Sequence, residues 1–138
     1  MVEAKIKKSK LNVNYCENFV SSEKAGAVNI FIGTVRNKTH GKSVKYLFYE
    51  SYGKMAILEI EKIANYAQKK WQLENVVIHH RVGKVRLGEI TVVIAVSSSH
   101  RKESFEGCRY IIDTLKKTVP IWKKEVYEGG DEWTYPNP

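Results

Sequence analysis

The sequence predicts a single domain, residues 1–138, of the α+β class with a mixed or antiparallel sheet. Strand-like runs rich in β-branched residues occur in pairs, at 27–36 with 44–50 and at 76–82 with 90–96, and a single amphipathic helix follows each pair. Paired strands interrupted by single helices are typical of α+β domains and differ from a doubly wound fold. With 138 residues, 43% of them hydrophobic, the chain is long enough to bury one core.

The first half of the chain supplies one strand, one short helix, a strand pair and one of two main helices. Residues 5–13 are expected to form a strand, and Asn14 is expected to open a helix that ends near Ser22. Between the strands 27–36 and 44–50, the polar loop at 37–42 is a candidate mobile element. A second helix is predicted from Lys54 to Trp71, where apolar residues recur at helical spacing: Ile60, Ile63, Ala64, Ala67 and Trp71.

The second half begins with two strands and continues into the longer helix. The run at 90–96 is too apolar to be anything but a buried strand, and Ser98 or Ser99 after it can cap the following helix. Pro120 ends that helix, and residues 121–127 are expected to form a further strand. The helix is predicted to bury one continuous stripe, made of Phe105, Cys108, Ile112, Leu115 and Val119.

The positive charge of the chain is concentrated in two places. The formal net charge is +8, and residues 101–124 carry seven lysines and arginines against three acidic residues, a net of +4. The first ten residues contribute a further +3, on what is expected to be a solvated edge strand or a frayed start. Because the basic charge has a focus, we expect an anionic partner.

Cationic side chains lie at both ends of the second main helix. His100 and Arg101 stand at its start, where the N–H groups of the first turn favour anions such as phosphate. Lys116 lies in the last turn at the border of the apolar stripe, and the pair Lys123 and Lys124 follows Pro120. Each residue alone also has an ordinary explanation as a surface, capping or dipole-complementing group. Together they indicate a site that handles anions.

Arg36 ends the first long strand, next to the polar loop. Its guanidinium can bind phosphate or carboxylate through two hydrogen bonds, or it can simply face solvent in a hairpin.

Cys108 falls on the predicted apolar stripe and is expected to be a core residue, not a nucleophile. We predict no metal site and no cofactor, since the adjacent His79 and His80 point to opposite faces of one strand. No targeting signal or membrane-length apolar run is present in the sequence, so we expect a cytoplasmic protein.

Six short blocks resemble the large, catalytic subunit of molybdopterin synthase, in a match that extends in order from about Gly26 to Trp133, nearly the whole chain. The blocks are Gly26-Ala-Val, Phe31-Ile-Gly-Thr-Val-Arg36-Asn37, His80-Arg81-Val82-Gly83, Ser99-His100-Arg101, Leu115-Lys116 and Pro120-Ile-Trp-Lys123-Lys124-Glu125. The resemblance implies an α/β-hammerhead-type fold and a homodimer that binds a small ubiquitin-like sulfur-carrier subunit at each end, forming a heterotetramer. It also implies a sulfurtransferase that converts cyclic pyranopterin monophosphate into the dithiolene of molybdopterin, with the sulfur carried by a thiocarboxylate on the small subunit's terminal glycine.

The same resemblance implies which residues form the site. The substrate-binding positions that match the family are Thr34, Val35, Arg36, His100, Arg101, Lys116, Lys123, Lys124 and Glu125. Lys116 is the expected catalytic residue, acting in proton transfer or holding the acyl group as sulfur leaves, and Lys123 supports it electrostatically. Arg36 and His100 are expected to clamp the anion.

Two other classes of function stay open at this point. The net charge of +8 and 11% aromatic residues are compatible with a nucleic-acid-binding module, although the sequence contains no recognised nucleic-acid motif. The second alternative is a non-catalytic interaction subunit that keeps the fold and the partner groove but has lost turnover.

Overall fold

The structure, a computed structural model, describes residues 1–39 and 41–134. Within these ranges the elements are β1 (Val2–Lys7), α1 (Val13–Val20), β2 (Ala27–Thr34), β3 (Lys38–Thr39), β4 (Lys42–Ser51), α2 (Gly53–Trp71), β5 (Asn75–Arg81), β6 (Gly83–Arg86), β7 (Ile90–Ser98), α3 (Arg101–Thr118), β8 (Ile121–Tyr127) and β9 (Gly130–Thr134). The two long helices are α2 and α3, as predicted.

The strands form two sheets. The first has the order β1-β5-β7-β2, with β1 parallel to β5 and the other pairs antiparallel. The second has the order β3-β4-β8-β9, is antiparallel throughout, and also pairs β6 with β4. The predicted α+β class with a mixed or antiparallel sheet is therefore confirmed.

The central strand β7 is buried on both faces, which explains its unbroken apolar sequence. On one face Val92, Ile94 and Val96 join the main core with the buried sides of α2 and α3. On the other face Val93 and Ala95 pack in a smaller cluster that includes residues of α1. The first sheet thus carries helices on both faces, and its main core continues into the second sheet through Leu47, Tyr49 and Ile121.

Two helix starts differ from those predicted. Helix α1 begins at Val13, because the Asn12 side chain, not that of Asn14, caps it by accepting a hydrogen bond from the Tyr15 N–H at 3.0 Å. Helix α3 has His100 at its N-cap with no side-chain capping bond. The Ser98 hydroxyl instead donates to the His100 carbonyl at 2.6 Å, so the predicted serine cap is wrong.

Other boundaries and the buried face of α3 also differ. The first strand lies at Val2–Lys7 instead of 5–13, and β6 and β9 were not predicted. Phe105 was placed in the buried stripe of α3, but it is 62% exposed. The buried residues of that helix are Ser104, Gly107, Cys108, Ile111 and Leu115. Of the predicted polar loop, Lys38 and Thr39 form β3, and His40 lies outside the described residues, as do 135–138 of the predicted domain.

Candidate active site

Lys116 and Lys123 come from consecutive elements joined by the turn at Pro120. Lys116 follows the buried Leu115 in the last turn of α3 and is itself half-buried at the edge of the core. Lys123 lies two residues after the buried Ile121 and two before the buried Glu125 in β8. Its side chain therefore lies on the same, inward face of the strand as theirs. The turn between helix and strand therefore brings the two amines to the same part of the molecule.

Arg36 approaches Lys116 and Lys123 from the end of β2. The ladder between β2 and β7 is irregular between Gly33 and Thr34, and β2 ends at Thr34. Val35 then buries its side chain in the main core, which directs the next residue, Arg36, outward from the end of the strand. Helix α3 starts directly after β7 and packs back along β2 and β7, so its last turn lies near the end of the sheet where Thr34 of β2 pairs with Ile90 of β7.

The electrostatics of Lys116 show that the three cations interact. Burial lowers the pKa of the Lys116 amine, and the positive charges of Lys123 and Arg36 lower it further. A half-buried amine near two other cations holds a larger neutral fraction than an ordinary surface lysine. Such a group can accept a proton or act as a nucleophile, while its neighbours attract an anion.

His80, which we did not predict as a site residue, is buried near enough to Lys116 for the lysine charge to lower its pKa. Its ring is 5% exposed, and its Nδ1 lies 2.7 Å from the Arg81 carbonyl oxygen, so Nδ1 carries the proton that is donated there. Tyr49 meets the ring edge-on at 5.2 Å. Burial, with a smaller effect of Lys116, lowers the pKa of His80 to about 4 and keeps the ring neutral. The sequence did contain a signal for His80, because this residue is polar and lies within the buried run 76–80.

The two residues after Lys123 lie on opposite faces of β8. Glu125 is 2% exposed, shares the face of Lys123, and has one carboxylate oxygen without a hydrogen-bond partner among the described residues. Lys124 faces the other way, with its amine 4.0 Å from Asp131 and 5.2 Å from the centre of the Trp133 ring. Of these two predicted site residues, the structure brings only Glu125 to the face of the Lys123 side chain.

His100 and Arg101 lie at the far end of α3 and are exposed. Between Arg101 and Lys116 the helix rises by about 22 Å. Within one chain the structure thus gathers Arg36, Lys116 and Lys123 but not the two residues of the helix start. Thr34, also among the predicted residues, is exposed where β2 ends.

The cysteines and the adjacent histidines serve other purposes. Cys16 and Cys108 are unpaired and buried, and burial raises the pKa of each thiol to about 11. His79 faces away from His80 and lies 2.7 Å from a carboxylate oxygen of Glu3.

Among the residues that the structure describes, no three His, Cys, Asp or Glu side chains are grouped to hold a metal ion. None of the described helices is long and apolar enough to cross a membrane.

Comparison with known proteins gives one consistent family. The family described as MoaE protein matches residues 6–118. The molybdopterin synthase catalytic subunit of Taeniopygia guttata is 48% identical over 130 residues, which cover 94% of this chain and 84% of that protein. The crystal structure of molybdopterin synthase from Staphylococcus aureus superposes with a TM-score of 0.90 at 38% identity and covers 94% of both chains.

A fourth similarity concerns the fold alone. A protein–protein complex of subunits 1 and 2 of molybdopterin-converting factor from Helicobacter pylori contains a chain that is 22% identical. It superposes with a TM-score of 0.75, covering 95% of this chain and 89% of that one. The match over residues 6–118 and the 48% identity establish that the chain belongs to the MoaE protein family, whose members include molybdopterin synthase catalytic subunits.

Proposed function

We propose that this chain is the catalytic subunit of molybdopterin synthase. It transfers sulfur from the C-terminal thiocarboxylate of a small ubiquitin-like subunit to cyclic pyranopterin monophosphate and so forms the molybdopterin dithiolene. The observation that carries the proposal is the half-buried Lys116, whose pKa is lowered by burial, Lys123 and Arg36. A cyclic phosphate and an anionic thiocarboxylate both suit this cationic place.

The roles follow from the position of each group. The thiocarboxylate sulfur forms a bond to a substrate carbon as the bond from that carbon to an oxygen leaving group breaks. The bond between the sulfur and the small subunit's acyl carbon then breaks as water or the Lys116 amine takes the acyl group. Neutral Lys116 takes up a proton during these steps, or its amine receives the acyl group as sulfur leaves. Arg36 and Lys123 hold the phosphate and stabilise the charge that develops as its ring opens.

The sulfur must be carried by another molecule. Both thiols of the chain are buried and, with pKa values of about 11, are protonated at neutral pH. This supports a sulfur-carrier partner, as does the fold shared with a chain of the two-subunit Helicobacter pylori complex. The unpaired state of Cys16 and Cys108 is typical of a reducing compartment, and we place the reaction in the cytoplasm.

The assembly we propose is a homodimer of this chain with one small subunit at each end, a heterotetramer. The length of α3 supports it, because His100 and Arg101 lie about 22 Å along the helix from Lys116. In a homodimer, the start of α3 from the second copy would bring its His100 and Arg101 close to Lys116 and complete the group of residues that binds the anion. Sedimentation of the chain with and without its small subunit tests both levels of assembly.

The test of function is direct assay of the dithiolene product from the chain, the thiocarboxylated small subunit and cyclic pyranopterin monophosphate. Lys116→Ala should lower the rate by roughly 100-fold or more with the partner saturating, since an acid–base or nucleophilic group is lost. Lys117→Ala is the matched control, because Lys117 is exposed on the same turn and should leave the rate unchanged.

Two results would favour the alternative functions. A wild-type chain that binds the small subunit but forms no product would be a non-catalytic interaction subunit. Steeply salt-dependent binding to generic DNA or RNA, without product formation, would indicate a nucleic-acid-binding module.

A further inference from the structure

The turn between β6 and β7 is closed by its own last residue. The Glu89 N–H donates to the Arg86 carbonyl at 3.0 Å, and the Arg86 N–H donates to Glu89 Oε1 at 2.8 Å. Gly88 occupies the third position with a φ of +79°, which a side chain would disfavour there. The carboxylate of Glu89 thus fastens the first residue of the turn to the last.

The same turn holds the chain that leads to Arg36. The Val35 N–H donates to the Glu89 carbonyl at 3.1 Å, and the Gly88 N–H donates to the Val35 carbonyl at 2.8 Å. The paired ladder of β2 stops at Thr34, one residue earlier. The backbone of Val35 is therefore held by the turn and not by the sheet, and Arg36 follows it directly.

The second oxygen of the Glu89 carboxylate faces two cations. Glu89 Oε2 lies 3.5 Å from Arg81 Nη1 and 3.6 Å from Lys10 Nζ. The Arg81 side chain is 11% exposed, whereas that of Lys10 is 82% exposed, so Arg81 is the partner expected to orient the carboxylate. These contacts fix the rotamer in which Oε1 accepts the Arg86 N–H.

We propose that Glu89 is a positioning residue for Arg36, acting through the Arg86–Glu89 turn and the backbone of Val35. The inference rests on the proposed function for the role of Arg36 as an anion clamp. Glu89 touches no reacting atom. Its loss would let the 35–36 segment move and misplace the guanidinium, so binding of the phosphate-bearing substrate should suffer.

A double-mutant cycle separates positioning from general stability. Glu89→Ala should raise the KM for the pyranopterin substrate by about tenfold, since it removes a hydrogen bond to a charged acceptor. In an Arg36→Ala background the same change should add less than about twofold, because the two residues then act as one unit. An equal factor in both backgrounds, or no effect of Glu89→Ala on the wild-type KM, would overturn the proposal.

Two further variants separate the hydrogen bond from the charge. Glu89→Gln keeps an oxygen that can accept from the Arg86 N–H, so its KM should stay within about threefold of wild type. Lys10→Ala removes an exposed ion-pair partner of the same carboxylate, so its KM should stay within about twofold. A Gln variant as impaired as the Ala variant would contradict the assigned role of Oε1.

Amide hydrogen exchange gives a readout that is independent of turnover. In Glu89→Ala the Val35 N–H should exchange at least about tenfold faster than in wild type, while the buried Ile94 in the middle of β7 should be unaffected. Unchanged exchange at Val35 would overturn the proposal. A wild-type chain that forms no dithiolene would refute the proposed function instead, and exchange would still decide whether Glu89 holds this segment.

Discussion

Acidification should destabilise the protein through His80. The pKa of this ring is lowered from 6.5 to about 4, mainly by burial and to a smaller extent by Lys116, while the hydrogen bond to Arg81 opposes the shift. Between these pH values the unfolded chain binds a proton that the folded chain does not, so stability falls as the pH drops from about 6.5 toward 4. At about 1.4 kcal/mol per pKa unit, the free energy of unfolding should fall by roughly 2 kcal/mol from pH 7 to pH 4.5.

Urea denaturation of the wild type and of His80→Gln at about pH 7 and about pH 4.5 tests this value. Glutamine cannot be protonated in this range, so the variant should lose roughly 2 kcal/mol less than the wild type on acidification. The acidic residues and His79 titrate in both proteins, and their contributions cancel in the difference. An identical pH dependence in the two proteins would refute the assignment of a buried, neutral ring to His80.

Three other predictions concern the site and its supports. Lys123→Met removes a cation that lowers the pKa of Lys116, so the acid limb of the kcat profile should move to higher pH; an unmoved limb would contradict this. Replacing Cys16 and Cys108 together by alanine should leave product formation per folded molecule within about twofold, as measured in the dithiolene assay. Gly26→Ala would place its Cβ 2.5 Å from a backbone carbonyl oxygen and should lower the urea-measured free energy of unfolding by about 1–3 kcal/mol.

Apolar spacing located α3 and correctly predicted that Cys108, Leu115 and Val119 are buried, but it was wrong at the start of the buried face. The pattern selected Phe105, which is 62% exposed, and passed over Ser104 and Gly107, which are buried. Gly107 is needed for close packing, because a Cβ there would lie 2.9 Å from a side-chain carbon of Leu73. Hydrophobic periodicity gives no weight to such small residues, although they set the distance between a helix and its neighbour.

Long-range pairing limited the remaining predictions. The strand Gly130–Thr134 has no apolar alternation, and it forms by antiparallel pairing with the edge of β8. Lys116 and Lys123 could be predicted together because only a turn at Pro120 separates their elements. That Arg36 joins them depends on β2 lying beside β7 and under α3, which no local pattern encodes. His80 carried a local signal, a histidine in a buried strand, but its position beside Tyr49 and near Lys116 arises only in the fold.

The three gathered cations store electrostatic repulsion in the folded protein. Arg36 follows an edge strand of the first sheet, Lys116 belongs to the helix on that sheet, and Lys123 belongs to the second sheet. Hydrophobic burial in the shared core holds them together against their mutual repulsion. An anion bound there would relieve this repulsion, so the proposed phosphate binding should raise the free energy of unfolding. By this linkage the protein should be more stable with an anion bound, and the proposed substrate would act as a counter-ion as well as a reactant.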